Sequence, residues 1–401
     1  MTAAPIPPRF ARLVLVRPDG EVVGALPPFP VETPWWQEAE PVVKGAREHH
    51  AIDVTVLRLL EAELSLPHGG TVTYVAEVAP PVTAEAWDGS LDDHPLRMPW
   101  AKPGGPAADV AWAESQLAER GMRRIGPAQQ VRTWNLSSLW RLPVEGQTAW
   151  LKCVPTFFAH EGRILELLQG RPVPTLIAHD AQRLLLAEIP GDDLWDAPTP
   201  RLMEMIALLV NLQREWLERI DELLALGLPD WRAPTLAPAI ERLVERVGPQ
   251  LTTDDRATLD TFLNGLADRF AQVAACGLPD TLVHGDFHPG NFRGDDTSLV
   301  LLDWGDCGVG HPLLDEPAFL DRVPTDAVGT ARRHWHAAWT SGIHGSDPDR
   351  ASQLLRPVAA ARQALIYQKF LDGIEPSERV YHAADPGNWL RRTAELARSV
   401  L

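Results

Sequence analysis

Between residues 282 and 306 the chain reads LVHGDFHPGNFRGDDTSLVLLDWGD, and this stretch constrains the fold more than any other. Short apolar runs near 281–283 and 299–303, bounded by Gly, Asp and Pro, predict two buried strands. The loop between and after them holds His284, Asp286, His288, Asn291, Asp303 and Asp306. From residue 200 onward the remaining sequence has helical periodicity: RLMEMIALLVNLQREWLERIDELLALG, APAIERLVERVGPQL, RATLDTFLNGLADRFAQVAACG, and segments at 330–341, 350–372 and 388–401. The region 129–190 reads instead as strands, SSLWRLP, TAWLKCVP, TLIAHD and RLLLAEIPG, interrupted by one helix, FFAHEGRILELLQG, that closes at Gly170. A β-rich region followed by a helical region with one polar strand–loop–strand predicts an α+β fold of two lobes.

The first 100 residues predict a separate small α+β unit. RLVLV, EVVGAL and TVTYVAEV read as strands, with Pro18-Asp19-Gly20 as a turn between the first two, and EPVVKGAREHH has helical spacing. The Pro- and Gly-dense stretch 94–110 marks a boundary, after which ADVAWAESQLAERG predicts a helix with Asp109 as its N-cap and Gly121 as its end. The expected division is thus 1–100 for a capping or interaction module, 109–190 for the β-rich lobe and 191–401 for the helical lobe. At 401 residues each part has enough chain for a core. A net charge of −17 argues against nucleic acid or an anionic membrane as partner, no run of about 18 apolar residues occurs, and no signal peptide is evident. Three well-separated cysteines, Cys153, Cys276 and Cys307, suit free thiols in the cytoplasm.

The spacing inside the loop has a chemical logic. A carboxylate, Asp286, an amide five residues on, Asn291, and a second carboxylate after a hairpin, Asp303, suit Mg²⁺-nucleotide phosphoryl transfer. One carboxylate takes the proton of the attacking hydroxyl, and hard oxygens hold the cation against the phosphates. HGDFHPGN followed by LLDWGD resembles the aminoglycoside phosphotransferase / choline kinase family, whose members have the two-lobed protein-kinase-like fold. The resemblance spans about 125–395. It implies Asp286 as catalytic base, Asn291 and Asp303 as Mg²⁺ ligands, and His284 as an anchor of the loop. It also implies Lys152, on the strand AWLKCVP, and Glu161, on the following helix, as the pair that binds nucleotide phosphates. RLLLAEIPGDDLW resembles the hinge, with Glu188 and Ile189 reading the adenine edge through their backbone.

One departure from the family pattern stands out. Where a Gly-rich phosphate loop is expected the chain has RTWNLSSLWRL, so hydroxyls of Ser137 and Ser138 become the candidate phosphate donors and the choice between ATP and GTP stays open. Asp192, Asp193, Asp372 and Glu375 fall in segments where related enzymes build the acceptor pocket. They imply an amino-bearing small-molecule acceptor: an aminoglycoside, amino sugar or amino alcohol. The alternatives are a pseudokinase or nucleotide-binding regulator working through its N-terminal module, and a metal-dependent hydrolase built on His284, Asp286 and His288. A protein substrate is disfavoured, because no long activation segment fits between Asp303 and GHPLLDEP. His311 and Asp315 in that segment read as structural. The 15 tryptophans read mostly as core, with Trp195, Trp216, Trp335 and Trp339 as candidates to stack on an acceptor. GAREHHAIDVTVLRLL resembles a Nudix helix only in outline, since His49 and His50 stand where metal-binding glutamates belong.

Overall fold

A computed structural model of the protein describes residues 6–79 and 81–399. The chain forms two compact units. The first comprises 1–162, 176–188 and 370–383; the second comprises 163–175, 189–369 and 384–401.

The first unit holds two sheets. Strands β1 (Arg9–Val16) and β2 (Val22–Val31), helix α1 (Glu40–His50), and strands β3 (Val54–Ala62) and β4 (Gly70–Val78) form a sheet of order β2-β1-β4-β3 with α1 packed on it. The outer pairs are antiparallel, and β1 and β4 run parallel. Its core interleaves Leu13, Phe29, Trp36, Val42, Val56 and Tyr74, all buried. Gly20 adopts φ 91° in the first turn, where the Gly20 N–H donates to Arg17 O. Helix α2 (Gly105–Glu119) begins earlier than its sequence suggests, at Gly105-Pro106, because proline needs no N–H partner in a first turn. Asp109 is therefore not the cap. It is a buried mid-helix residue beside Cys153 and Arg183.

The second sheet uses β5 (Gln129–Thr133), β6 (Ser138–Val144), β7 (Gln147–Cys153), then, after helix α3 (Glu161–Leu167), β8 (Leu176–His179) and β9 (Arg183–Ala187). Its order is β5-β6-β7-β9-β8, with every neighbour antiparallel. The edge strand β5 is covered. Ala39 N–H donates to Val131 O and Thr133 N–H to Gln37 O, both at 3.0 Å. The Gln130 amide binds both the N–H (2.9 Å) and the C=O (2.6 Å) of Val56. The segment 370–383 completes the unit with a 3₁₀ turn, Pro376–Tyr381, whose Tyr381 ring packs on Trp36 and Trp134.

The second unit is mainly helical: α4 (Thr199–Arg214), α5 (Ile220–Ala225), α6 (Ala233–Val247), α7 (Thr253–Asn264), α8 (Leu266–Ala275), α9 (Glu316–Leu320), α10 (Thr325–Gly342), α11 (Pro348–Gly373, its last turn in the first unit) and α12 (Asp385–Arg398). Two helices expected to be continuous are broken, one after Arg214 and one at Gly265. The unit also has five short strands, in two small sheets: β10 (Asp192–Asp193), β11 (Thr281–Val283), β12 (Phe292–Gly294), β13 (Leu299–Leu301) and β14 (Gly308–Gly310). All five have only two or three residues; β11 (TLV) and β13 (LVL) show in the sequence as apolar runs, whereas β10 (DD), β12 (FRG) and β14 (GVG) do not. No helix among the described residues is long and apolar enough to cross a membrane.

Candidate active site

The loop after β11 is held from three sides. Asp315, buried at the start of α9, accepts the His284 N–H at 2.9 Å and the Gly285 N–H at 2.8 Å, and Gln213 donates to the same carboxylate at 3.1 Å. From the middle of α11, Arg362 Nη2 donates to Gly285 O at 2.6 Å. Gly285 itself has φ 92°, and a Cβ there would lie 2.0 Å from Asp306 O, so only glycine fits. Beneath the loop lies an aromatic bed: Phe287 stacks on Phe319 and meets Phe292 and Trp335 edge-on, while Trp304 packs edge-on against His284. Burial on this scale fixes the backbone to which Asp286 is attached.

Both nitrogens of His284 are engaged within the loop. Nε2 contacts Leu302 O at 2.8 Å and Nδ1 accepts the Asp286 N–H at 3.4 Å, which makes Nε2 the protonated nitrogen. Burial pushes its pKa down to about 4, so the ring is a neutral anchor. His288 Nδ1 likewise accepts the Gly290 N–H, leaving Nε2 to face Asp286 Oδ2 at 3.4 Å. The nitrogens of both histidines thus face partners within the loop, and among the described residues no group of three or more His, Cys, Asp and Glu side chains is arranged to hold a metal. This arrangement weighs against the hydrolase alternative.

Asn291 Nδ2 donates to Asp286 O at 2.7 Å and to Asp286 Oδ2 at 3.1 Å. With His288 on the same oxygen, Oδ2 is the held atom, and Oδ1 takes part in neither contact. Burial alone would raise the Asp286 carboxyl; His288, Arg322 and His284 outweigh it and hold the group well below the usual carboxylate range. Asn291 is anchored by its C=O, which accepts the Leu302 N–H at 2.8 Å across the β12–β13 hairpin. That places Asp303 one residue beyond the residue facing Asn291. Asp303 has φ 56°, a left-handed conformation that a non-glycine residue adopts at a cost and that is common at functional sites. Burial, together with the Asp286 charge, pushes Asp306 up to about 7.

In the first unit, Lys152 on β7 donates from Nζ to Glu161 Oε1 at 2.7 Å, and the carboxylate is buried. Other residues singled out from the sequence are placed differently. Ser138 is buried, its hydroxyl accepting the Trp140 indole N–H, so it cannot face a phosphate. Ser137 closes the turn, accepting the Trp134 indole N–H on its hydroxyl and the Trp134 backbone N–H on its carbonyl. Glu188 N–H bonds Thr148 O and its carboxylate takes the Trp150 indole N–H, while Ile189 C=O accepts from Arg293 Nε. Asp192 and Asp193 are exposed, with Asp193 paired to Arg293 at 2.9 Å. Asp372 is exposed. Glu375 is corrected as an acceptor ligand: it is buried between Arg97 at 2.9 Å and Arg58 at 3.6 Å. Trp216, Trp335 and Trp339 are core residues and cannot stack on a ligand, whereas Trp195 is 54% exposed and lies edge-on to His288. Arg362 left no signal except one charge within an apolar helical run.

The sequence model of the phosphotransferase enzyme family (APH) matches residues 154–354. No curated protein matches the sequence. Among solved structures, a macrolide 2′-phosphotransferase from Brachybacterium faecium is 18% identical and aligns with a TM-score of 0.50 over 69% of this chain and 97% of its own. A type I macrolide 2′-phosphotransferase aligns at 0.51 with 17% identity over 70% and 96%. The GDP and kanamycin complex of APH(2″)-IIIa aligns at 0.50 with 16% identity over 73% and 98%. These likenesses show a shared protein-kinase-like fold. With the family match spanning half of the chain, the protein belongs to the phosphotransferase enzyme family, whose enzymes place a phosphoryl group on small-molecule hydroxyls.

Proposed function

We propose that the protein transfers the γ-phosphoryl group of ATP, with GTP as the other candidate donor, to a hydroxyl of an amino-bearing small molecule. The observation that carries this reading is the Asp286 carboxylate, fixed through Oδ2 by Asn291 and His288, which leave Oδ1 out of both contacts. A carboxylate so held can orient a hydroxyl and take its proton as the bond to phosphorus forms. Lys152, held by Glu161, is the cation for the nucleotide phosphates. With the Glu188 N–H and the Ile189 C=O engaged, the Glu188 C=O and the Ile189 N–H are the groups assigned to the base edge.

The donor set also fits Mg²⁺. Because Asn291 directs its NH₂ at Asp286, its amide oxygen points the other way, and with the Asp303 carboxylate it offers two hard oxygens. Mg²⁺ binds through one or two protein oxygens plus phosphates and waters, so no larger cluster is needed. The cation would neutralise charge on the phosphate oxygens. GDP and kanamycin in the APH(2″)-IIIa structure support a purine nucleotide and an amino-bearing acceptor. The exposed acids Asp192, Asp193 and Asp372 are the acceptor candidates that remain. The regulator alternative draws only on the glycine-free turn, and the formed Lys152–Glu161 pair weighs against it.

The test is ADP release from Mg-ATP and Mg-GTP across aminoglycosides, amino sugars, choline-like alcohols and neutral sugars. The Asp286→Asn variant should lose at least about 100-fold in turnover with nucleotide binding unchanged. Stimulation by neutral sugars alone would overturn the acceptor class, and a fully active variant would overturn the base.

A further inference from the structure

Arg362 is an anomaly of the second unit. It is 2% exposed, in the middle of the 26-residue helix α11, and lies beyond residue 354, where the match to the family ends. Burying a guanidinium is costly unless nearby charges and hydrogen bonds compensate. Here its single hydrogen bond among the described residues runs from Nη2 to Gly285 O, and Nε and Nη1 have no such partner. Burial lowers its pKa, opposed in part by the charges of Asp315, Asp306 and Asp286, and the guanidinium also lies 5.6 Å from the centre of the Trp231 ring.

The peptide of Gly285 is thereby fixed at every point. Asp315 takes its N–H, Arg362 takes its C=O, and the Asp306 carbonyl fills the space where a Cβ would stand. The next residue in the chain is Asp286. If the Arg362 cation were lost, the Gly285 carbonyl would lose its buried donor and the nearby acids their counter-charge, and the loop carrying Asp286 would loosen.

We propose that Arg362 is a positioning residue for phosphoryl transfer: its guanidinium locks the Gly285 carbonyl and offsets the charges of Asp286, Asp306 and Asp315, so that Asp286 meets the acceptor hydroxyl in one orientation. This rests on the phosphotransferase reading of Asp286 given above. It predicts a split in kinetics, because a base displaced by about 1 Å costs on the order of 100-fold in rate while nucleotide contacts elsewhere are untouched.

The full-length protein and its Arg362→Met and Arg362→Lys variants decide the matter by two measurements. Backbone amide exchange across 283–291 should quicken at least about tenfold in Arg362→Met and less in Arg362→Lys, with exchange in α4 and α10 unchanged. In Mg-ATP turnover, Arg362→Met should lose about 100-fold in kcat with the nucleotide KM unchanged, and guanidinium ion at millimolar concentration should restore part of the loss. Unchanged exchange in Arg362→Met overturns the clamp, and faster exchange with unchanged kcat reduces Arg362 to a structural part. If the parent protein turns over no acceptor at all, the phosphotransferase reading fails first and takes the kinetic role of Arg362 with it. That outcome is told apart because the parent itself is inactive.

Discussion

Replacing Glu378 by glutamine should make the protein less sensitive to pH. Glu378 is buried in the 3₁₀ turn of the first unit, where Oε1 accepts the Leu59 N–H at 2.7 Å. Burial pushes its carboxyl up to about 8; the Leu59 N–H opposes the rise and the neighbouring Glu375 adds to it. A carboxyl whose pKa rises on folding stabilises the folded state fully only below its unfolded value of 4.5, and that stability drains away as pH climbs to about 8. Each pH unit in that window costs about 1.4 kcal/mol, tapering at both ends. Between pH 6 and pH 8 the loss amounts to about 2 kcal/mol, or roughly 4–8 °C in Tm for a unit of this size. Glutamine keeps the acceptor for Leu59 and has no proton to lose. Thermal unfolding of parent and Glu378→Gln, each at pH 6 and pH 8, isolates the residue, since titrations not coupled to it cancel in the difference. The variant should gain on the parent by about 2 kcal/mol over that interval. A gap between the two that is the same at both pH values would refute the reasoning.

Two further outcomes follow from the site. Asp315→Ala strands two buried N–H groups, those of His284 and Gly285, and should cost about 2–5 kcal/mol; urea unfolding that shows less than about 1 kcal/mol would mean water replaces the carboxylate. Glu161→Gln removes the charge that holds Lys152 and should raise the nucleotide KM about tenfold without altering the circular dichroism; an unchanged KM would remove Lys152 from phosphate binding.

The legible parts of the molecule are those written locally. Asp286, Asn291 and Asp303 sit at spacings that one strand–loop–strand dictates, and alternation in RLVLV and TVTYVAEV marks strands whatever they pair with. What stayed hidden depends on side-chain partners, near or distant, that a pattern of residue types does not specify. Ser138 looked like a phosphate donor because a hydroxyl carries no label for which face of a strand it takes; the Trp140 indole decides it. Glu375 read as an acceptor acid until Arg58 and Arg97, from the opposite end of the chain, closed on it. Asp109 read as a cap because a proline-led helix start four residues upstream gives a weaker signal than an aspartate. Only for Glu375 does the deciding interaction join residues far apart in sequence; for Ser138 and Asp109 it is local, but it turns on side-chain direction and helix start, which periodicity does not report.

The covered edge of β5 bears on how this protein can be recombined with others. The Pro- and Gly-rich stretch 94–110 invites a crossover there, yet the seam of the structure does not follow it. A fragment starting near residue 100 would lose Gln37 and Ala39 from the β5 edge and Val56 from the grip of Gln130. It would expose an unpaired strand, the kind of surface on which copies of a chain stack into aggregates. Chimaeras that exchange acceptor preference are better joined inside exposed turns such as Glu145–Gly146 or 295–297, with residues 37–62 inherited together with the lobe they complete.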